Sequence, residues 1–391
     1  MAQEGRRARL VELEPRLVLL FLAIGGPFLL VGSLVILSWL RGEMSRNLGD
    51  DFLGGAAADT ARYLDTYLLN DLTNVSVIAS VPTLRGAVKT SNREYPSDPE
   101  RIRDRLLQWD EEWVEHRGAV PLALDIVGRD TSEFLREVAT FNSSYKEILV
   151  TDRQGALVAA TNITSDYYQA DEDWWQQAFG DGEIGALYSS GIVFDASAGG
   201  YALEMAVPVR DSADSEAAVV IGVLKVLLEA RELFRVVSAV SLGNTGHALL
   251  LNIDDGKVIA GRTSEDVMQR QYEGIATLRD ALAENRKSFL SRDQDGNVWV
   301  ASFARMPEPT PVSYRNWVVL VQQEAREAQA PMTMATVYLI AFFIGIGLLV
   351  VLASLYLHWK LVRPIREVDL REEMDRLVAE SGAGGKTWGN S

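Results

Sequence analysis

Two uncharged apolar runs limit what this chain can fold into more than any other feature. Leu17 to Leu40 contains no charged residue, and Met332 to Trp359 contains none apart from the titratable His358 near its end. Each is long enough to cross a bilayer core of about 30 Å at about 1.5 Å per helical residue. Pro27 and the adjacent glycines of the first run are tolerated in membrane helices. A cleavable signal sequence would have an apolar region of only about 7–15 residues and a small-residue cleavage site. The first run is longer and has no clear site, so it reads as an uncleaved anchor. Arg6, Arg7, Arg9 and Arg16 precede the first run, and Lys360, Arg363, Arg366 and Arg371 follow the second. The inner flanks hold only Arg41, Arg46 and Arg326. This asymmetry predicts a two-pass protein of the plasma (inner) membrane, with both termini cytoplasmic and the region between the spans periplasmic or extracellular.

Composition excludes several functions. The net charge of −16 argues against nucleic acid as a partner. The absence of Cys removes disulfides, thiolate catalysis and sulfur-ligated metals. The three His, at 116, 247 and 358, are far apart in sequence, so neither a metal site nor a catalytic triad is expected, and no cofactor.

The organisation follows in order. Residues 1–16 form a cytoplasmic leader and 17–40 the first span. Residues 41–92 are dominated by one long predicted helix, from Glu43 to about Lys89. Leu48, Phe52, Ala61, Leu64, Leu68, Leu72, Val75 and Ile78 recur there at spacings of three and four. Pro82 marks either its end or a new segment. A stripe this long is expected to pack partly on its own ectodomain and partly on a second copy, giving a parallel homodimer. Glu100 to Arg117 and Asp130 to Tyr145 read as helical; Leu122 to Val127 fits a short strand or a turn of helix.

A strand–turn–strand follows, from Glu147 to Thr161, with Gly155 supplying the positive φ of the turn. The pattern returns at Ala248–Ala260, where Gly256 lies 101 residues after Gly155. Strands are predicted over Tyr201–Val209 and Ala217–Leu228 after the first hairpin, and over Val298–Arg305 and Asn316–Gln322 after the second. Their hairpin loops are Ser212–Glu216 and Pro307–Tyr314. Two tandem copies of one mixed sheet-and-helix unit account for this order. The first copy spans 93–240 and the second 241–330, with Glu229 to Leu242 as the joining helix. Residues 332–359 form the second span. In 360–391, a helical start runs into the flexible Ser381–Gly385 stretch.

Between Asn162 and Asp211, aromatics and carboxylates interleave more densely than anywhere else. Tyr167, Glu172, Trp174, Trp175, Tyr188, Asp195 and Asp211 lie here. Ring faces and carboxylates both attract positive charge, so the stretch suits a pocket for a small, particularly cationic, molecule. The same Trp pair would also serve to pack a helix onto a sheet. Asp171, Glu172, Asp173 and Asp195 could be drawn as a paired-carboxylate hydrolase. A charge run is ordinarily a solvated face, however, and no catalytic residue is assigned.

The order of these parts resembles the bacterial double-Cache sensors, transmembrane chemoreceptors. The parts that carry the resemblance include the Glu147–Thr161 hairpin, Tyr167 with Trp174-Trp175, the Pro208-Val209-Arg210-Asp211 run, Gly246-His247-Ala248-Leu249 and Trp317-Val318-Val319. Arg363-Pro364-Ile365 is similar to the start of a HAMP signalling linker. The resemblance implies an α+β extracytoplasmic ectodomain, a long N-terminal helix plus two tandem PAS-like lobes, between two transmembrane helices. It also implies a ligand in the membrane-distal lobe, with output through the second span. In amino-acid-binding members a Tyr precedes an Arg-x-Trp-Tyr run, and an Asp closes the last strand. Tyr167 and Trp174 match, whereas Glu172 stands in place of the Arg, Trp175 replaces the second Tyr, and the closing position falls near Leu227.

The expected ligand is therefore small and neutral or cationic, held by Tyr167, Trp174, Trp175, Tyr188, Asp195, Glu172 and Asp211. Other expected partners are membrane lipid, a second copy of the chain and a separate cytoplasmic output protein. The alternative is an anchored ectodomain with a structural or protein-interaction role and no small ligand.

Overall fold

The longest amphipathic element carries both sheets. The structure is a computed structural model that describes residues 31–36, 38–39, 42, 48–96, 98–196, 198–212, 218–263, 267–307, 314–357, 359–360 and 371–379. The chain divides into two units, Arg46–Ala328, and Met1–Ser45 with Gln329–Ser391. In the first unit a π-helical turn, Leu48–Leu53, leads into helix α1, Gly54–Ala79. Leu53, Ala57, Ala61, Leu64, Leu68, Leu72, Val75 and Ile78 all fall on one face and are buried. The first turns pack on the second sheet, so closely that a Cβ at Gly49 would lie 2.9 Å from Ser288 Oγ. Further along, α1 packs on the first sheet, where Tyr145 Oη donates to Asp71 at 3.0 Å.

One expectation is corrected here. The helix does not run unbroken from Glu43 to Lys89. It ends at Ala79, Val81 is extended, and Pro82 opens a new helix, α2, Pro82–Arg93. Proline disfavours the helical conformation in the residue before it and suits a first helical turn. The buried stripe from Leu53 to Ile78 is shared by two lobes rather than one. Phe52, Tyr63 and Val77 remain on the outside, at 56%, 50% and 59% exposure.

Helices α3 (Pro99–Glu115), α4 (Pro121–Gly128) and α5 (Asp130–Phe141) follow. The predicted helix from Asp130 therefore stops four residues short of Tyr145, which instead begins β1. The first sheet contains β1 (Tyr145–Thr151), β2 (Leu157–Ala160), β3 (Tyr188–Asp195), β4 (Gly200–Arg210) and β5 (Val220–Glu229), in the order β2-β1-β5-β4-β3. Helix α6, Asp173–Phe179, lies between β2 and β3 in sequence. Helix α7, Arg231–Ala239, leads to the second sheet, and Ser241–Leu242 forms the short strand β6 instead of extending the helix.

Strands β7 (Gly246–Asn252), β8 (Val258–Ala260), β9 (Ser288–Arg292), β10 (Val298–Arg305) and β11 (Trp317–Glu324) repeat the first arrangement. The order is β6-β7-β11-β10-β9, with β8 on β7, and helix α8, Ile275–Ala283, precedes β9. The tandem repeat is therefore present, every pair being antiparallel. Gly155 and Gly256 turn the two hairpins at φ 84° and 72°, a region that favours glycine. The loop residues 213–217 and 308–313 lie outside the described residues.

Edge strands β3 and β9 carry no clear strand signal. In β3, Ser189, Ser190 and Gly191 interrupt the apolar pattern, and the register slips between Ser189 and Ile192.

Each sheet has two buried faces. One meets α1 through Val150, Met205, Leu224 and Val226 in the first sheet, and through Leu250, Val319 and Val321 in the second. The opposite face carries Leu149, Ala206 and Val223 under Trp174 and Trp175 in the first sheet. In the second it carries Leu249, Ala301 and Leu320 with Tyr272 and Leu278.

In the other unit, Thr336–Ala353 has a mean hydropathy of 2.7, in a helix α9 that spans Ala325–Leu357. Among the described residues this is the one helix long and apolar enough to cross a membrane. Val337, Ile340, Phe342, Ile344 and Leu348 are exposed along it. Most of the first apolar run lies outside the described residues, as do 361–370 with Arg363-Pro364-Ile365.

The face of α1 toward the first sheet contains one buried acid. Asp71 is 5% exposed and accepts from Tyr145 Oη, with Asn142 Nδ2 at 3.5 Å. Burial raises its carboxyl above the ordinary 3.8, and the hydrogen bonds from Tyr145, Tyr67 and Asn142 offset that only in part. A raised folded pKa means the folded state binds the proton more tightly than the unfolded state. Asp71 therefore weakens the fold at neutral pH, and the penalty is relieved as pH falls through its raised value toward 3.8. The Asp71→Asn chain should have a higher Tm than the wild type at neutral pH, and the difference should shrink on acidification. Thermal unfolding across that range checks this; an equal gap at every pH would contradict it.

Candidate functional site

In the first lobe, the sheet face away from α1 is roofed by α3, the 162–172 loop and α6. This roof is aromatic because α6 and α3 both present rings inward. Trp113 donates through Nε1 to the Thr164 carbonyl at 2.9 Å, which ties α3 to the loop. Asp110 Oδ1 accepts from the backbone N–H groups of Tyr167 and Tyr168 at 2.8 and 2.9 Å. The Tyr167 ring lies 5.9 Å from that of Trp109, edge-on, and 5.8 Å from that of Trp113. Trp175 donates from Nε1 to Thr151 Oγ1 at 2.9 Å and stacks on Phe179 at 4.5 Å.

The floor is polar at its centre. Lys225 of β5 lies 2.6 Å from Glu204 of β4, and their side chains are only 12% and 22% exposed. The same ammonium sits 4.9 Å from the Trp174 ring centroid. Removing either member of a pair this shielded strands the other charge, which costs about 3–5 kcal/mol. Glu147 of β1 accepts from Asn162 Nδ2 at 3.0 Å. Burial raises its carboxyl pKa; Asn162 and Lys225 oppose this, while Asp195 and Asp166 add to it. Asp166 is raised by burial and by its acidic neighbours Asp110 and Asp171. Glu172 is raised by burial and by Asp166, and lowered by Lys225. Tyr188 is raised by burial, then by Glu204, Asp173 and Glu172. One ammonium thus sits among several carboxylates in a half-buried, aromatic-walled region.

Trp174 is 2% exposed, and its indole N–H is buried with no hydrogen-bond partner. Native interiors leave few such donors, and each calls for an explanation.

The seven residues selected from sequence separate in the structure. Trp174, Tyr188 and Glu172 gather around Lys225 and Glu204, with Trp175 beside Trp174 on α6. Tyr167 belongs to the aromatic wall next to Trp109 and Trp113. Asp211 does not join them, and Asp195 reaches the cluster only through its charge on Glu147. Tyr188 pairs with Ala206 whereas Asp195 pairs with Gly200, which puts roughly 20 Å between them at about 3.3 Å per residue. Asp195 accepts the Ala198 N–H at 2.8 Å in the turn beyond β3. Asp211 lies past the opposite end of that stretch of β4, where its N–H donates to the Val219 carbonyl at 3.0 Å.

Three central residues, Lys225, Glu204 and Glu147, were not among those selected. A signal did exist: Lys225 is the lone charge in Val220–Leu228, and Glu204 is the lone charge in Tyr201–Val209. A single charge in an otherwise apolar strand is rarely buried without a partner.

A long helix carrying two like antiparallel sheets, with helices over their outer faces, is the architecture of the double-Cache sensor ectodomain. A Cache domain family model matches residues 47–332. The chain belongs to the Cache domain family. No curated protein matches it. Solved structures similar to it include the ligand-binding domain of the Pseudomonas fluorescens chemoreceptor CtaA with L-isoleucine, at 16% identity and a TM-score of 0.48, covering 74% of this chain and 98% of that one. Another is the ligand-binding domain of the Pseudomonas aeruginosa PAO1 amino acid chemoreceptor PctB with L-Arg, at 18% identity and a TM-score of 0.42, covering 73% and 98%. The ligand-binding domain of the Campylobacter jejuni chemoreceptor Tlp3 with 4-methylisoleucine is similar at 11% identity and a TM-score of 0.46, covering 74% and 94%.

Proposed function

We propose that the chain is a transmembrane sensor that binds a small neutral or cationic ligand between α6 and the first sheet. The observation that carries this reading is the unpartnered buried Trp174 N–H beside the Lys225–Glu204 pair. Leaving such a donor unsatisfied costs about 1–3 kcal/mol, and a ligand oxygen would satisfy it. The surrounding carboxylates, Glu147, Glu172 and Glu204, favour a ligand whose other end is positive. The role is binding, with no catalytic residue assigned.

The site has a route to the second lobe. Tyr188 faces the ligand region, while its neighbour Ser189 hydrogen-bonds the buried Tyr314 hydroxyl on the opposite face. Tyr314 in turn packs on Trp317 of β11, with ring centroids 4.7 Å apart. A ligand that shifts β3 thus acts on β11, which is followed directly by α9. Output to a separate cytoplasmic protein completes this reading.

Thermal shift and calorimetry of the full chain in detergent, against a panel of small amines, betaines and neutral amides, test the site. A ligand that binds only the folded state must raise Tm. Trp174→Phe keeps a ring but removes the N–H, and should weaken binding by about tenfold; Asp211→Ala should leave affinity unchanged. If no panel member raises Tm, or Trp174→Phe binds as tightly as the wild type, the site is misassigned and a structural role for the lobe is favoured.

The Lys/Arg distribution supports an ectodomain outside the cell membrane, and the exposed outer residues Phe52, Tyr63 and Val77 suit a parallel dimer. Phe52→Cys should crosslink to its own copy when intact cells or spheroplasts receive a membrane-impermeant bis-maleimide. Crosslinking only after lysis would contradict the topology, and none in either case would contradict the dimer.

A further inference from the structure

The second lobe has a cavity of about 140 Å3 on its own outer sheet face, at the end of the sheet from which α9 leaves. A cavity of about 150 Å3 holds a six-carbon ring, so the space admits a molecule of roughly six non-hydrogen atoms. Strand register fixes its position. His247 of β7 pairs with Gln322 of β11, and Ser291 of β9 pairs with Trp299 of β10, which pairs in turn with Glu324, the last residue of β11. Gln322 stands three residues before Ala325, where α9 begins. Leu249, Val258 and Trp299 give the cavity an apolar side. Its charged neighbours are already engaged. Arg270 pairs with Glu273, whose other carboxylate oxygen accepts the Gln294 N–H at 2.9 Å. Asp293 accepts from Trp299 Nε1 at 3.0 Å, Asn297 N at 2.8 Å and Asn297 Nδ2 at 3.1 Å. Arg292 follows Ser291 along β9, so alternation turns its side chain to the opposite sheet face. The space is therefore bounded by uncharged groups and by charges that have partners or point away.

The polar wall is one ordered chain of hydrogen bonds. His247 Nδ1 is 2.8 Å from the Thr245 carbonyl, so Nδ1 carries the proton and Nε2 accepts from Gln322 Nε2 at 3.1 Å. Gln322 Oε1 then accepts from Tyr272 Oη at 3.2 Å, and Ser291 Oγ is 3.2 Å from the same phenol oxygen. Tyr272 has only one proton to give, so Ser291 supplies the other bond. Tyr272, Ser291 and Gln322 are all buried. Among the described residues, the second N–H of the Gln322 amide and the lone pairs of Ser291 Oγ are left over from this chain. The wall thus offers one donor and one acceptor to a molecule in the cavity.

The chain also leaves the cavity toward α9. Thr245, whose carbonyl holds His247, gives its backbone N–H and its hydroxyl to the Glu327 carboxylate, and the Asn244 N–H adds a third bond at 2.7 Å. The Thr245 hydroxyl oxygen accepts the Glu324 N–H at 3.1 Å. Gly243 closes this turn at φ 63°, where a side chain would collide with the carboxylate. Glu327 lies in the first turn of α9.

We propose that this cavity is a second binding site, taking a small uncharged molecule that both donates and accepts hydrogen bonds, and that it acts on α9 through His247, Thr245 and Glu327. A short carboxamide is the simplest fit: its oxygen accepts from Gln322, its N–H donates to Ser291, and its carbon end lies toward Leu249, Val258 and Trp299. The site is separate from Trp174 and needs no ligand in the first lobe.

The test uses the full chain in detergent with acetamide, propionamide and propane-1,2-diol as probes, and propionate and propylammonium as charged controls. At least one uncharged probe should bind saturably and raise Tm. Trp174→Phe, in the other lobe, should leave that binding unchanged, so failure here is separable from failure of the first-lobe site. Gln322→Leu should weaken it by about tenfold or more, and Ser291→Ala, which loses only a hydroxyl, by about threefold. The bound probe should slow hydrogen exchange at the Asn244, Thr245 and Glu324 amides, and Glu327→Ala should remove that response while the probe still binds. Absence of binding by all three uncharged probes, binding that survives in the Gln322→Leu, Ser291→Ala double variant, binding lost in Trp174→Phe, or a charged control that binds as tightly and is lost with Gln322→Leu would each overturn the site. Unchanged exchange at Asn244, Thr245 and Glu324 would overturn its action on α9.

Discussion

The architecture depends on one apolar stripe. From Leu53 to Ile78 the buried face of α1 serves two sheets in turn, the second through the first turns of the helix and the first through the later ones. Among the described residues, neither sheet has another element of comparable length over its inner face. Burial of a Leu or Val side chain contributes about 1.5–3 kcal/mol relative to exposure, so the stripe supplies a large share of what holds both lobes. This arrangement leaves the outer faces free to diverge. Helices and loops cover them, and these segments can change chemistry without disturbing the inner seam.

They have diverged in charge. The first lobe concentrates carboxylates around Lys225 and buries an indole donor without a partner; strand register puts Ala301 and Leu320 of the second at the positions of Glu204 and Lys225, and Arg270 and Glu273 pair beside that face. Buried polar groups are retained at some expense of stability, and Asp71, Glu147 and Asp166 are further instances, each held above its ordinary pKa mainly by burial. Such groups concentrate where a protein binds something, although structural networks produce the same signature. Asp71 belongs to the structural kind. It ties α1 to Tyr145 at the start of β1, away from either outer face.

Much of the fold could be read from periodicity and turn chemistry. The hairpins at Gly155 and Gly256, strands β4, β5, β10 and β11, and helix α3 have strong apolar patterns or glycines at positive φ. Edge strands β3 and β9 escaped because each has exposed positions among its apolar ones and β3 is interrupted by a bulge. The site was legible only in part. Trp174, Glu172 and Tyr188 come together because α6 lies over β4 and β5. Asp195 and Asp211 were drawn in by closeness in sequence, whereas strand register sends them to opposite ends of the sheet. Lys225 was overlooked because a strand that looks like pure core hides a charge on its outer face. Register, which fixes who faces whom, is set by long-range pairing that a single sequence does not display.

Native-state hydrogen exchange on the full chain tests the shared-stripe account most directly. Leu64 is fully buried midway along α1, and Leu64→Ala should lower its packing free energy by about 2–5 kcal/mol. If the stripe holds both lobes as one unit, the slowest amides of β5 and those of β11 lose protection together and by similar amounts. Loss of protection confined to one sheet, with the other unchanged, would show that the lobes are stabilised independently and would contradict the account.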